Sequence, residues 1–368
     1  MTRVFHSFLA ASLMLGLAGV AFSAETTNGL SQSGKADLQS AGPLAFGPQG
    51  VLFVGDPKGA AIFAIGVDAA PKSSAAGEFK LEGIDAKVAA ALGTKGTDIL
   101  INDMAVQPGS NVAYLSVSRG KGPDAEPAIV KVNAAGEVTL LPLDKVNYSK
   151  VTLSSAPSAE AKDKRGNSLR QESITDLAFL DGRLFIAGLS NEDWASKLRA
   201  VAFPFPEKDT ATSVEIYHGA HGAFETRAPV RTFVPFNVGG EPHLLAAYTC
   251  TPLVTFPVSE LKAGAKLRGT TIAELGNRNR PLDIIAYEKD GKSYLLLANS
   301  ARGVMKITTD NIEKQEGITT KVSDKAGIGY ETIKELEGVE HLDRLGDKQA
   351  LLLVRSSTGL NLQSVALP

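Results

Sequence analysis

Apolar residues along this chain fall in short runs, separated by turns rich in Gly, Pro, Asp and Asn. Short apolar runs bounded by turn residues predict strands, since a helix needs a 3.6-residue period sustained over three turns or so. From Pro43 the chain reads PLAFGPQGVLFVGDPKGAAIFAIG: strand, tight turn, strand, polar loop, strand. The same order returns near residues 102, 175, 229, 281 and 339, giving six copies in all. The turns between first and second strands are Pro48–Gly50, Pro108–Asn111, Asp181–Gly182, Gly239–Gly240, Asp290–Gly291 and Gly346–Asp347. A third strand follows in each copy, and a fourth in several. A repeated antiparallel unit of this size predicts one blade of a β-propeller, so the chain reads as an all-β, six-bladed β-propeller. A seventh, degenerate blade between residues 66 and 100 is the alternative.

Roughly 57 residues per copy exceeds the ~40 to 50 of compact propeller repeats. Part of the excess lies at Ile84–Leu92, IDAKVAAAL, where Ala-rich spacing, an early Asp85 and Gly93 beyond the end predict a short inserted helix. Polar stretches at Ser154–Asn167 and Glu207–Thr212 predict loops. The chain ends are expected to close the ring, with Leu360–Leu367 and residues near 28 to 40 in the terminal blades.

The first 23 residues read as a signal peptide: Arg3, an apolar stretch from Phe8 to Val20, and small residues Ala21 and Ser23 before Ala24. Residues 24–368 then form a single propeller domain, periplasmic or extracellular, with no further apolar run long enough to span a bilayer. A balance of 38 basic and 40 acidic residues, net −2, offers no electrostatic case for a nucleic-acid partner. The single cysteine, Cys250, excludes an internal disulfide framework and reads as an inert core residue. The chain carries no G-x-S-x-G elbow, phosphate-binding loop or haem motif, so no residue is assigned a catalytic role.

Propeller geometry places the long loops, and the connections into the inner strands, on one face. Those segments hold Arg119, Arg170, Glu172, Arg227, Asn277, Arg278, Asn279, Arg280 and Arg302, expected to gather at one mouth and bind an anionic ligand through planar guanidinium forks. Asp103, Asp176 and Asp283 occupy equivalent places at the start of inner strands. They read either as cation ligands or as caps on backbone N–H groups that lock blades together. His218, His221 and Glu225 form the densest metal-compatible cluster, on a Gly-rich loop.

The first copy, through Pro43, Gly50 and Asp56, resembles the NHL-repeat and SMP-30-like six-bladed propellers. That resemblance implies the fold and, for the lactonases among them, a divalent ion in the channel held by Glu, Asn and Asp. The strand Ser40–Leu44 has no Glu at the place where those enzymes carry one. Two functions are therefore expected. The first is an exported propeller binding a small anionic molecule or a protein segment at its polar mouth. The alternative is a metal-dependent hydrolase, lactonase- or esterase-like, with calcium or zinc at the channel mouth.

Overall fold

The computed structural model describes residues 28–69, 77–250 and 252–368; the signal-peptide reading of residues 1–23 lies outside them. Six β-sheets of four to six strands form the six blades, and no seventh sheet occurs among the described residues. The blades are numbered by their inner strands in chain order. These are Leu44–Phe46, Ile99–Val106, Asp176–Leu180, Val230–Val238, Pro281–Lys289 and Val339–Leu345. Each expected hairpin joins an inner strand to the second strand of its blade. In the two-residue turns both positions have positive φ, as at Asp181 (48°) and Gly182 (74°) or Asp290 (51°) and Gly291 (74°). That left-handed pair matches the twist of the flanking strands and suits Asp-Gly. Asp56, in the segment that carries the family resemblance, is buried and closes the loop after it. It accepts the backbone N–H groups of Gln39 (2.8 Å), Ser40 (2.8 Å) and Gly59 (2.9 Å).

Ring order departs from chain order. Inner-strand neighbours run blade 1, 3, 4, 5, 6, 2 and back to 1. After the third strand of blade 1 (Ala61–Gly66), the chain crosses to blade 6 and gives it an outer strand, Lys80–Leu81, beside Leu362 and Gln363. The chain next builds blade 2, then returns to blade 1, where Val146–Thr152 becomes the fourth strand against Ala61–Ile65. The expectation that the two chain ends meet to close the ring is therefore corrected. Gln32–Gly34 lies on the outer edge of blade 1 and Gly359–Ala366 in blade 6, with blade 2 between those blades. Closure rests on two composite blades instead. In each, strands far apart in sequence gain the same apolar contacts and ladder hydrogen bonds that hold the single-segment blades.

The inserted helix forms at Ile84–Ala91, as expected; it buries Ile84, Val88 and Ala89, and the first two join the core shared by blades 2 and 6. The Glu207–Thr212 loop is shorter than expected, because the outer strand of blade 3 begins at Ala211. Its Asp209 is buried and pairs with the buried Arg199, whose Nη2 also donates to the Ser154 carbonyl (2.8 Å). Among the described residues no helix is long and apolar enough to cross a membrane.

Phe79 is fully buried at the blade 6 seam and exchanges hydrogen bonds with Ser364, its N–H to Oγ and its carbonyl to the Ser364 N–H, both 3.0 Å. Phe79→Ala is expected to cost about 3–5 kcal/mol. Denaturant unfolding should show that loss as a lowered midpoint. An unchanged midpoint would contradict closure through this segment.

Candidate functional site

Six inner strands line a central channel, and register fixes which side chains face it. Four of them carry a β-bulge at the same level: between Ile101 and Asp103, Val230 and Thr232, Pro281 and Asp283, and Val339 and His341. A bulge shifts the alternation by one residue and re-aims a side chain. The bulged residues, Asn102, Arg231, Leu282 and Glu340, all line the wide mouth of the channel. One step below, register aligns Pro43, Asp103, Asp176, Thr232, Asp283 and His341 as a ring of polar side chains interrupted only by proline. The next inward ring is Ala45, Ala105, Ala178, Val234, Ile285 and Asp343, apolar except for the last. The wide mouth encloses about 1100 Å³ and the opposite, hairpin end about 640 Å³.

The structure brings Asp103, Asp176 and Asp283 together, and the hydrogen bonds define what each does. Asp103 accepts its neighbour Met104 N–H (2.8 Å) and, across a seam, the Leu44 N–H of blade 1 (2.6 Å). Asp176 does the same with Leu177 (2.7 Å) and Phe233 of blade 4 (2.7 Å). Asp283 bonds Ile284 (2.8 Å) and Leu342 of blade 6 (2.9 Å). Asp343, not singled out from sequence, bonds Arg344 (2.7 Å) and Val106 of blade 2 (2.7 Å). Each carboxylate thus clasps its own inner strand to the next. Capping of backbone N–H groups, one of the two sequence readings, describes all four. Among the described residues, seams 1–3 and 4–5 carry no such aspartate.

Four carboxylates in one channel repel one another, and burial raises the cost. Burial pushes Asp176 well above the usual carboxylate range, helped by Asp283 and Asp103. Burial likewise raises Asp283, against the hydrogen bond from His341, and pushes Asp343 up to about 7. The counter-charge is His341, whose Nδ1 lies 3.3 Å from Asp103 Oδ1 and 3.8 Å from Asp283 Oδ2, with a side chain 16% exposed. Burial alone would strip its proton, but the two aspartates outweigh burial and raise it to about 10. An imidazolium bridging two carboxylates is the charge state this geometry favours.

Above this ring, Arg231, Arg280, Arg302 and Arg355 line the mouth. Arg355 pairs with Glu340, Nη2 to Oε2 at 3.0 Å, and Arg231 with Glu172 at 2.5 Å. Arg302 donates from Nη2 to the Asn277 carbonyl (3.1 Å), yet its Nε is buried without a partner. Arg280 has no carboxylate partner among the described residues. Its partial burial and the adjacent Arg231 lower its pKa, against the pull of Glu172.

The other arginines expected at the mouth do not reach it. Arg119 pairs with Glu126 (3.1 Å) and Arg227 with Asp193 (3.3 Å), both exposed and outside the mouth lining. Arg170 ties loops by donating to the carbonyls of Lys58 (3.0 Å) and Pro157 (2.8 Å). Arg278 is exposed, with φ of 58°. Asn277 and Asn279 brace the loop below Arg302, Asn279 Nδ2 donating to the Gly276 carbonyl (2.7 Å). Of the expected ligand-binding residues Arg280 and Arg302 line the mouth directly, and Glu172 acts through Arg231.

His218, His221 and Glu225 also assemble, away from the channel. Glu225 accepts from Nδ1 of His218 (3.1 Å) and of His221 (2.5 Å). Two metal-compatible groups therefore exist among the described residues: Asp103, Asp283 and His341 in the channel, and His218, His221 and Cys250 apart from it. Sequence reasoning missed His341, Asp343, Arg231 and Arg355. The first three had a signal: aligning the copies puts Asn102-Asp103, Arg231-Thr232, Leu282-Asp283 and Glu340-His341 at one level, with Asp343 two residues on.

No protein-family model and no curated protein sequence matches this chain. Among solved structures it is similar to the PQQ-bound form of an aldose sugar dehydrogenase from Streptomyces coelicolor. Identity is 11%, with 92% of this chain and 97% of that one covered at a TM-score of 0.34. It is also similar to the periplasmic gluconolactonase of Pseudomonas aeruginosa, at 13% identity over 89% of this chain and 85% of that one, TM-score 0.34. At such identities and scores neither likeness bears on what this chain binds or does.

Both His341 and Asp343 bind protons more tightly in the fold than out of it, so the sign of their linkage is the same. The stabilisation from His341 is complete below about 6.5, the free-imidazole value, and fades as pH rises through about 10. That from Asp343 fades between its free value near 4 and about 7. With chelator present, melting temperature should fall steadily from pH 6.5 to 10, and His341→Gln should flatten that limb. A wild-type slope retained in the variant would contradict the assignment.

Proposed function

We propose that this exported propeller binds a small anionic ligand at the wide mouth of its channel. One observation carries the reading: Arg280, with no ion-paired carboxylate among the described residues, stands beside Arg231, which is paired with Glu172, at a cavity large enough for a small molecule. Clustering like charges is unfavourable unless an anion completes the set. Arg302 lines the same mouth, its Nη2 held by the Asn277 carbonyl and 3.5 Å from Asp324 Oδ1. A carboxylate or phosphate group would accept from these forks, while Asn102, whose Nδ2 is taken by the Ala41 carbonyl and Ser118 Oγ, keeps Oδ1 to accept from a hydroxyl group. A mouth of about 1100 Å³ is of the size small-molecule sites have, which favours a small molecule over a protein segment. Export rests on the Arg3–Ser23 pattern, and kinship with NHL or SMP-30-like propellers on the first copy.

Inorganic phosphate and gluconate serve as probes. Either should raise the melting temperature of the wild-type protein by mass action. Arg280→Gln combined with Arg302→Gln should abolish that rise while leaving the unliganded melting temperature within a few degrees. The exposed Arg278→Ala should behave as wild type. No rise with either probe, or a rise that survives the double variant, would refute the reading.

The alternative, metal-assisted hydrolysis, draws on Asp103, Asp283 and His341, whose candidate ligand atoms lie within 4.8 Å of one another. A calcium or zinc ion held there would polarise a carbonyl or activate water. It would have to displace the His341 proton, so binding would release a proton and tighten as pH rises. This reading predicts thermal stabilisation by calcium or zinc that is lost in Asp283→Asn. A Cys250→Ser variant, with its channel residues intact, that is indifferent to both ions would remove it.

A further inference from the structure

At the seam between blades 3 and 4, well outside the channel lining, three potential metal ligands meet. His218 ends the outer strand Ala211–His218 of blade 3. The chain then turns back sharply, with the His221 N–H (3.1 Å) and Gly222 N–H (2.8 Å) both on the His218 carbonyl. That turn lays the two imidazoles side by side, ring centroids 3.8 Å apart. A short strand, Ala223–Glu225, pairs back along Ile216–His218 and delivers Glu225 to both rings. Cys250 arrives from blade 4, just beyond its second strand, in a turn with φ of 62° and its N–H on the Asn279 carbonyl (2.9 Å). One ring nitrogen of each histidine and the Cys250 sulfur lie within 4.8 Å of one another.

Two further observations point to a missing partner. His218 is 3% exposed, and its Nε2 is buried with nothing to bond. Glu274 of blade 4 is 1% exposed; one oxygen accepts the Gly219 N–H (2.5 Å), and Oε2 is also buried without a partner. An unsatisfied buried polar atom costs about 1–3 kcal/mol, so two in one seam are conspicuous. Glu225 occupies Nδ1 of both histidines. That leaves Nε2 as the free atom of each ring. A carboxylate that fixes ring orientation through the far nitrogen is the usual support for histidine ligands.

We propose that His218, His221 and Cys250 form a bis-imidazole–thiolate site for copper or zinc, supported by Glu225 and lying between two blades. Two imidazoles and one soft thiolate suit these ions and disfavour calcium or magnesium. The thiol loses its proton on binding, so one proton is released to solvent for each ion taken up. The site is independent of the channel, and its failure would leave the anion-binding reading untouched. Cys250 then has a role beyond core filling, and the ion joins blade 3 to blade 4.

Cobalt(II) is the direct probe, because thiolate ligation gives a sulfur-to-metal charge-transfer band. Reduced, full-length mature protein should bind one equivalent of cobalt with that band, and zinc should displace it. Cys250→Ser should abolish the band. His221→Ala, at an exposed position, should weaken binding at least tenfold without loss of fold by circular dichroism. Glu225→Gln should weaken it by about 10–100-fold while keeping the band. Arg119→Ala, exposed on blade 2, should change nothing. A folded wild-type protein without the band, a band that survives Cys250→Ser, or unchanged affinity in His221→Ala would each overturn the proposal.

Discussion

The channel of this propeller depends on the hydrogen bond between an inner-strand carboxylate and the backbone N–H of the next blade. Four aspartates make that bond, and each thereby joins two strands that share no ladder. Such a clasp satisfies N–H groups that would otherwise face a cramped polar channel. It also concentrates negative charge where burial makes charge expensive. His341 answers that problem by placing one cation between Asp103 and Asp283. The level above is then free to carry arginines, because the acid below is already bonded to backbone and imidazole.

The same carboxylates explain why the seams differ. Blades 1 and 3, and blades 4 and 5, meet without an aspartate and rely on side-chain packing. Phe53 stacks against Phe179, ring centroids 5.5 Å apart, at the first of these seams. At the second, Leu245 and Ala247 join Leu295 and Leu297 in one buried cluster. Ring closure adds a separate device. Blades 1 and 6 are each completed by a segment distant in sequence, so the ring is sealed at two places on either side of blade 2.

Much of this was legible before any coordinates. The six hairpins carry their own turn chemistry, and the alternation of the strands needs no partner to be recognised, so the six-bladed form and the helix at Ile84–Ala91 follow from local signals. Ring order does not, because the decisive strand is Lys80–Leu81, too short to leave a periodic pattern. The three aspartates were legible by their equivalent positions. The arginines were legible in part: Arg280 and Arg302 line the mouth, whereas Arg119, at the end of the second strand of blade 2, and Arg227, in a loop, pair with exposed carboxylates. The ones that face the mouth instead occupy a bulge (Arg231), the entry to an inner strand (Arg280), the turn behind a buried amide cluster (Arg302) and the end of a second strand (Arg355). Cys250 was read as inert because its neighbours come from another blade, which one-dimensional spacing does not reveal.

The central claim is that a single buried imidazolium, His341, offsets the charge of Asp103 and Asp283 at the centre of the channel. Nitrogen-15 NMR of the His341 ring tests it most directly. In metal-free protein at pH 8 both ring nitrogens should be protonated, and titration should begin only as pH nears about 10. A neutral His341 at pH 8, titrating near 6.5 like a free imidazole, would contradict the account.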